Sequence, residues 1–409
     1  LAHKMGMDPV KVKEMNMPVE GGPLPGYPDV PYAQSCSMDR CMARAKEMMD
    51  WDSKYPCRDM GNGKVRGVGV AMAMQGSSIA GVDVGGADIK LNEDGSYTLA
   101  LGCTDMGTGC DTVMAQIAAD CLNTPMDNIV VFSVDTDISP YDSGSYASAT
   151  TYTTGVAVMK ACEELKKKIC KLGAEMMEVD ERKVDFDGSC VFYDETLETD
   201  DGADGNAAGH MTDAEECYSV DMDAISSENA QKKVSLKDIA LKSTFFNNIE
   251  LQVVKQHSSP ISPPPFMVGM AEVEVDTETG SVDVLDYVAV VDCGTPINPN
   301  LARVQTEGGI AQGIGMALWE DVQYTDKGKI RNNSFMQYKI PTRQDIGNIR
   351  VDFECSYEKS GPFGAKSIGE LVIDTPCPAL AEAIYNATGV AMEILKNRES
   401  IRSGTKVEE

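Results

Sequence analysis

The 409-residue sequence has no run of about 20 apolar residues, so nothing in it reads as a membrane-spanning helix. It also lacks a basic stretch followed by an apolar one at its start, so no signal peptide is read. Basic residues are scarce: 36 Lys and Arg stand against 64 Asp and Glu, for a formal charge of −28. Such a surface repels phosphate backbones and anionic membranes, which sets nucleic-acid and membrane partners aside. Cysteine is plentiful at 13 residues, yet no Cys-x-x-Cys pair occurs and the spacings that hold an iron–sulfur cluster are missing. A disulfide framework suits a small secreted domain better, so the thiols are expected to be reduced and packed as small hydrophobes. The chain is expected to be soluble and cytoplasmic, and long enough to bury a large core in two or more domains. Its first residues, from Leu1 to Met17, read as the middle and exit of a helix, so a preceding segment is expected, on the same chain or on a separate subunit.

Periodicity divides the chain into four stretches. Residues 1–64 read as a Met-rich helical and loop segment, broken by the turn chemistry of PVEGGPLPGYPDVP. Residues 65–177 begin with strands. ADIKLNEDGSYTLALG alternates about Asp94-Gly95 as a hairpin, followed by a Gly107/Gly109 turn into the apolar-faced helix CDTVMAQIAADCL. NIVVFSV reads as a short buried strand, and a helix is predicted from about Val156 to Met177 after a long hydroxyl-rich loop. Residues 178–264 form an acidic excursion, with Asp200-Asp201 and Glu215-Glu216 but no EF-hand spacing, ending in the Pro-rich SSPISPPPFMVG. Residues 265–409 repeat the earlier order: a hairpin turning at Thr279-Gly280, a glycine-bearing turn and a glycine-rich helix. The echo predicts an α+β fold of two related α/β lobes.

Four segments carry small or polar residues where a core would place large apolar ones. In DMGTGCDT (105–112), the glycines let backbone approach a ligand, and the following helix N-terminus favours an anion; a plain strand-to-helix turn is the alternative. In GSYASATT (144–151), hydroxyls can donate to phosphate or pterin oxygens or serve as an N-capping cluster. In VQTEGGIAQGIG (304–315), Gly308, Gly309, Gly313 and Gly315 each cost about 1 kcal/mol in a helix relative to Ala. Close packing against a helix or against a cofactor would account for them, with Gln305 and Gln312 as amide partners. In the segment 361–384, a Gly-rich loop delivers Glu370 ahead of a short apolar stretch and a helix. A carboxylate there is expected to be desolvated and raised toward a pKa useful for a general base; an exposed loop glutamate is the alternative.

Taken in order, DMGTGCDTVMAQIAAD, DTDISPYDSGSYAS, VVDCGTPINPNLARVQTEGGIAQGIGMALWED, QYKIPT and GAKSIGE resemble the molybdenum-binding subunit of the xanthine dehydrogenase family. The resemblance runs from the first residues to about Gly389, apart from the acidic excursion. PPPF, DCGTPINP and GPFGAKSIGE look most like its bacterial purine-type and selenium-dependent branch. It implies molybdenum held by a pterin dithiolene rather than by side chains, with the pterin as its cytosine dinucleotide and a sulfido or selenido ligand. Glu370 of the Gly369-Glu370 pair falls on the family's catalytic glutamate, and Gln305 on a pterin-contacting glutamine. Met106, Gly107, Thr108, Gly109 and Cys110 fall on its first cofactor loop. Ala147, Ser148, Ala149 and Thr150 fall on the segment that wraps the pterin phosphate. Thr108 stands where the family commonly has a longer glutamine, and Leu371 where a proline often follows the glutamate. The Gly-Gly-Gly-Phe-Gly and Arg-Gly-Phe-Gly loops of the family are not in this sequence and are expected ahead of it. The loop Gly76-Ser77-Ser78 lies where animal xanthine enzymes place a stacking aromatic.

The resemblance implies an oxidative hydroxylase of a purine or related N-heterocycle, with water as the oxygen source. It implies partner subunits carrying [2Fe–2S] clusters and FAD, and a chain or segment supplying the N-terminal half of the molybdenum subunit. The same machinery acting on nicotinate, an aldehyde or an aromatic acyl-CoA is the alternative within the class, and a non-catalytic assembly subunit the alternative outside it.

Overall fold

A computed structural model describes residues 1–24, 26, 30–197, 232–247, 249–391 and 401–402. The acidic pairs Asp200-Asp201 and Glu215-Glu216 lie outside the described residues. Strands in chain order are β1 (Cys57–Gly61), β2 (Lys64–Met74), β3 (Gly85–Leu91), β4 (Tyr97–Leu101), β5 (Ile129–Ser133), β6 (Val184–Phe186), β7 (Cys190–Tyr193), β8 (Lys233–Ser235), β9 (Gln252–His257), β10 (Phe266–Asp276), β11 (Val282–Asp292) and β12 (Asn348–Phe353). The longer helices are α1 (Met38–Met49), α2 (Cys110–Cys121), α3 (Gly155–Met177), α4 (Pro299–Leu318) and α5 (Pro376–Thr388). Among the described residues, no helix is long and apolar enough to cross a membrane.

The predicted repeat is present and extends further than the sequence echo. In the first lobe the hairpin β3–β4 runs into α2, and β5 returns parallel to β4, with Tyr97 beside Ile129. In the second lobe the hairpin β10–β11 runs into α4, and β12 returns parallel to β11, with Tyr287 beside Ile349. A parallel return needs a crossover, and a helix supplies it in both lobes. Both hairpins turn where expected, with Gly95 at φ 89° and Gly280 at φ 73°. The architecture is thus α+β with two related lobes, as expected.

The first lobe's sheet has the order β5-β4-β3-β9, and α2 and α3 bury its apolar face through residues such as Ile89, Leu99, Ile117 and Leu165. The second lobe's sheet has the order β1-β2-β10-β11-β12. It is covered on both faces, by α1 around Phe266 and Val290 and by α4 and α5 around Ile310, Ile314 and Leu380. Cover on both sides explains why β10 is buried almost from end to end instead of alternating. On β2, a Cβ at Gly67 or Gly69 would stand 2.2 Å from a carbonyl oxygen of α5, so glycine is what lets that helix lie directly on the strand.

Several expectations are corrected here. Residues 1–64 are not only helix and loop: they end in β1, which pairs with β2 through Asn62-Gly63, both in the left-handed region at φ 53° and 75°. Asn-Gly flanked by strands is a hairpin signal that was present in the sequence. The stretch 65–177 is not one lobe, because β2 leaves it to pair with β10 in the other sheet. The stretch 178–264 is more than an excursion. Its β6, β7 and β8 form a small sheet whose Val184, Phe186 and Val191 alternate inward, and β9 completes the first lobe's sheet. NIVVFSV forms a strand, but a half-exposed one at the sheet edge, with Val130 and Phe132 facing out. The described cysteines are free, and Cys36, Cys41, Cys103, Cys110, Cys162 and Cys293 are buried as small hydrophobes, as expected.

Candidate cofactor site

The two lobes meet at corresponding places. The loop after β4 and the start of α2 face the loop after β11 and the start of α4: a Cβ on Gly109 would stand 2.7 Å from Leu301, and Asn298 Nδ2 donates to Gln116 Oε1 at 3.0 Å. A cavity of about 290 Å³ lies there. Met106, Thr108, Cys110, Ser148, Thr150, Gln305, Gly369 and Glu370, all singled out from the sequence, line it. Gly107 and Gly109 shape its first loop with φ 100° and 78°. Ala147 and Ala149 are not among the lining residues; Ala149 is buried and Ala147 half-buried.

The first loop is partly engaged by the chain's own carboxylate, Asp105. Gly107 and Gly109 donate to Asp105 Oδ1 at 2.8 and 3.2 Å, and Asp111 N–H donates to Oδ2 at 3.3 Å. Burial disfavours the Asp105 charge, but these backbone donors outweigh it and hold its carboxyl below the usual value. Asp105→Ala is expected to cost about 1–2 kcal/mol, the scale of a lost helix cap. A depressed folded pKa means that this stability is fully present above the unfolded value and lost as pH falls through the folded one. Urea unfolding of the two proteins should therefore diverge at pH 7 and converge in acid; an equal gap at both pH values would refute the assignment.

The glycine-rich helix α4 is explained by packing. A Cβ on Gly309 would stand 2.2 Å from Val372, and one on Gly313 2.6 Å from Pro376, so these glycines admit the turn and helix that follow Glu370. Gly308 meets nothing, and Gln312 is exposed on a face that does not line the cavity. Of the two glutamines, only Gln305 reaches the site.

Glu370 sits where three loops cross. Gln75 Nε2 donates to its Oε2 at 2.7 Å and Ser148 Oγ donates to the same oxygen at 3.0 Å. Among the described residues no hydrogen bond engages Oε1. The loops are stitched beneath it: Ser78 N–H donates to Ala147 O at 2.9 Å, and Ser367 N–H donates to Ser77 Oγ at 3.1 Å. The expected desolvation is not found within this chain. Glu370 is exposed, because it stands at the rim of the cavity with its carboxylate turned toward the donors of the neighbouring loops. Asp374, one turn on, has its carboxyl pushed up by burial and then by the Glu370 charge.

Behind the wall, Lys366 and Asp292 form an ion pair at 3.0 Å, both fully buried. Asp292 also accepts from Ser37 N–H, Ser356 Oγ and Gly294 N–H, and Lys366 Nζ donates to Ser35 O at 3.2 Å. The pair ties the N-terminal segment to the loops before α4 and before Glu370.

The lining suits an organic cofactor better than a bare ion. It offers neutral donors and acceptors in Thr108, Ser145, Thr150, Thr151, Asn298 and Gln305. Among the described lining residues the one ammonium, Lys366, is committed to Asp292. Burial pushes the Cys293 thiol up to about 12, so it offers no thiolate to a metal. Asp105, Cys110 and Asp111 cluster closely, but Asp105 is held by backbone donors and Asp111 Oδ2 accepts from Ser133 Oγ at 3.1 Å. A metal at this site would therefore be carried by its own ligand. Ser145 and Thr151 belong to the hydroxyl-rich segment 144–151 singled out from the sequence, whereas Gln75, Thr295 and Asn298 were given no role. Thr295 and Asn298 lie in the quoted string DCGTPINP, which was a signal without an assigned role, whereas nothing local marked Gln75.

Comparison with known proteins gives the family. A molybdopterin cofactor-binding domain family matches residues 44–347, a stretch that includes the loop 105–112, Ser148 and Gln305 and stops before Glu370. Over 406 residues the chain is 32% identical to "Probable hypoxanthine oxidase XdhD" of Escherichia coli K12, covering 95% of this chain and 38% of that protein. Over 403 residues it is 29% identical to the xanthine dehydrogenase molybdenum-binding subunit of Escherichia coli O157:H7, covering 96% of this chain and 49% of that protein. The chain thus spans less than half the length of either relative. The solved structure of reconstituted CO dehydrogenase from Oligotropha carboxidovorans superposes with a TM-score of 0.80 over 98% of this chain and 49% of that one, at 21% identity, which shows the same fold. The chain belongs to the molybdopterin cofactor-binding domain family, and is a molybdenum-cofactor-binding member of the xanthine dehydrogenase family.

Proposed function

We propose that this chain forms the part of a molybdenum subunit that carries the base of an oxidative hydroxylation, acting on a purine or related N-heterocycle with water as the oxygen source. One observation carries the reading: a carboxylate, Glu370, stands on the rim of a neutral, donor-lined cavity with one oxygen pinned by Gln75 and Ser148 and the other, among the described residues, unengaged. Glu370 Oε1 takes the proton of the oxygen nucleophile as that oxygen adds to an electron-poor carbon, and a base so placed contributes about 10²–10⁴-fold. When bound, the molybdenum cofactor supplies the nucleophilic oxygen and accepts the electron pair. Thr108, Thr150 and Gln305 would hold the pterin and its phosphate through neutral hydrogen bonds, in a cradle that the loops Met106–Cys110 and Ala147–Thr150 would form.

The purine assignment is supported by the names of the two Escherichia coli relatives. The likeness of PPPF and GPFGAKSIGE to the selenium-dependent branch supports a selenido ligand and a cytosine dinucleotide. The remaining half of the molybdenum subunit, an iron–sulfur subunit and a flavin subunit complete the enzyme. The free thiols support a reducing, cytoplasmic location.

The test is metal and selenium analysis of the natively purified complex, with mass spectrometry of each co-purifying chain and a panel of hypoxanthine, nicotinate and an aldehyde. Molybdenum near one per copy, with iron and turnover of hypoxanthine, is the expected result. Turnover confined to the aldehyde would replace the purine reading, and an intact complex without molybdenum would remove the hydroxylase reading altogether.

A further inference from the structure

Glu370 receives an unusual degree of help from one side chain. Ser148 Oγ accepts the Glu370 backbone N–H at 3.0 Å and donates to Glu370 Oε2 at 3.0 Å, so a single hydroxyl fixes both the start and the end of the glutamate. A Cβ on Gly369 would stand 3.1 Å from that same hydroxyl, which leaves little space for a larger residue ahead of Glu370. Ser148 is held there at a conformational cost. Ala147 and Ser148 are consecutive non-glycine residues in the left-handed region, at φ 51° and 55°. Strain of this kind persists only where surrounding contacts over-determine it, and it concentrates at functional sites. Here the contact is Ser78 N–H donating to Ala147 O at 2.9 Å, from the loop that also carries Gln75. The two lobes contribute similarly: Ser148 and Glu370 each stand just ahead of a short helical turn that leads into a longer helix, Thr150–Thr154 before α3 and Leu371–Ile373 before α5.

We propose that Ser148 is the positioning residue of Glu370: held in a strained backbone by the Ser78 loop, it fixes the carboxylate so that Oε1 alone faces the reacting atoms. The inference rests on Glu370 being the base. It assigns Ser148 to the glutamate, and not to the pterin phosphate as the family resemblance implies. A glutamate without this clamp recovers freedom about its side-chain bonds, and a misplacement of about 1 Å is enough to cost on the order of 10²-fold in rate.

The experiment compares Ser148→Ala and Ser148→Gly in the natively purified complex. Glycine removes the hydroxyl and relieves the left-handed strain, so an effect shared by both variants belongs to the hydroxyl. With hypoxanthine as substrate, kcat is expected to fall about 10- to 100-fold with KM and molybdenum content unchanged. Ser148→Asn, which tolerates the left-handed conformation and offers an amide donor, should restore part of the loss. In a Glu370→Gln background, Ser148→Ala should add nothing. A readout independent of turnover is the crystal structure of Ser148→Ala, in which the Glu370 carboxylate should leave Gln75 or occupy several conformers. An unmoved single conformer, or unchanged kcat in both variants, overturns the proposal. Molybdenum lost from both variants overturns it too, and assigns Ser148 to the cofactor. Normal turnover by Glu370→Gln alone would instead remove the base reading, whatever Ser148 does.

Discussion

Glu370→Gln is expected to lower turnover by about 10²–10⁴-fold, the contribution of a positioned general base, while leaving molybdenum content unchanged. The substitution suits the site because the amide oxygen can still accept from Gln75 Nε2 and Ser148 Oγ, which bond Oε2 at 2.7 and 3.0 Å. Shape and hydrogen bonding are kept, and only the capacity to take a proton is lost. A loss in kcat without a rise in KM would identify an interaction made in the transition state alone. Asp374 gives a second reading of the same variant. Its carboxyl is pushed up first by burial and then by the Glu370 charge, so removing that charge should bring the Asp374 pKa down, measurable by NMR titration of the carboxyl carbon. Full turnover in Glu370→Gln would take the residue out of the chemistry.

Lys366→Met carries the second large effect, on stability. It is expected to destabilise the protein by about 3–5 kcal/mol, because it strands Asp292 as a buried charge without its counterion. Both members of the pair are fully buried at 3.0 Å. The variant also removes the donor to Ser35 O at 3.2 Å and the ammonium 4.9 Å from the Phe266 ring. Removing both charges, in Lys366→Met with Asp292→Leu, should not restore stability fully. The second change orphans the donors Ser37 N–H, Ser356 Oγ and Gly294 N–H, and a buried unsatisfied group costs about 1–3 kcal/mol. Urea unfolding measures both variants. A Lys366→Met protein within about 1 kcal/mol of the parent would show that water reaches Asp292 and that the pair does not anchor the N-terminal segment.

These two residues stand four positions apart in GAKSIGE, and the sequence treats them very differently. Glu370 was legible because the string resembles a family in which that position is the base. Lys366 had no assignment, since a lysine in a glycine-rich loop looks like a surface charge until Asp292 is placed beside it. The same division holds for the glycines of α4. Their helix cost marked them as purposeful, but whether a cofactor or a helix took the space depended on where Val372 and Pro376 came to rest.

The sequence by itself determined what is written in short range. The hairpins about Asp94-Gly95 and Thr279-Gly280, the helices α2, α3 and α4 and the repeated order of the two lobes follow from turn chemistry and apolar period, which act over a few residues. Tertiary structure decided everything that depends on which loops meet. It took β2 out of the first lobe's sheet, set Asp105 against the loop that leads into α2, and left Glu370 at an exposed rim. It also brought Gln75 and Ser148 to Glu370 across 295 and 222 positions. No local pattern encodes such a contact: each residue is an ordinary polar residue in its own loop, and only the folding of the second lobe, for Gln75, and the packing of the two lobes, for Ser148, puts them within hydrogen-bonding distance of Glu370.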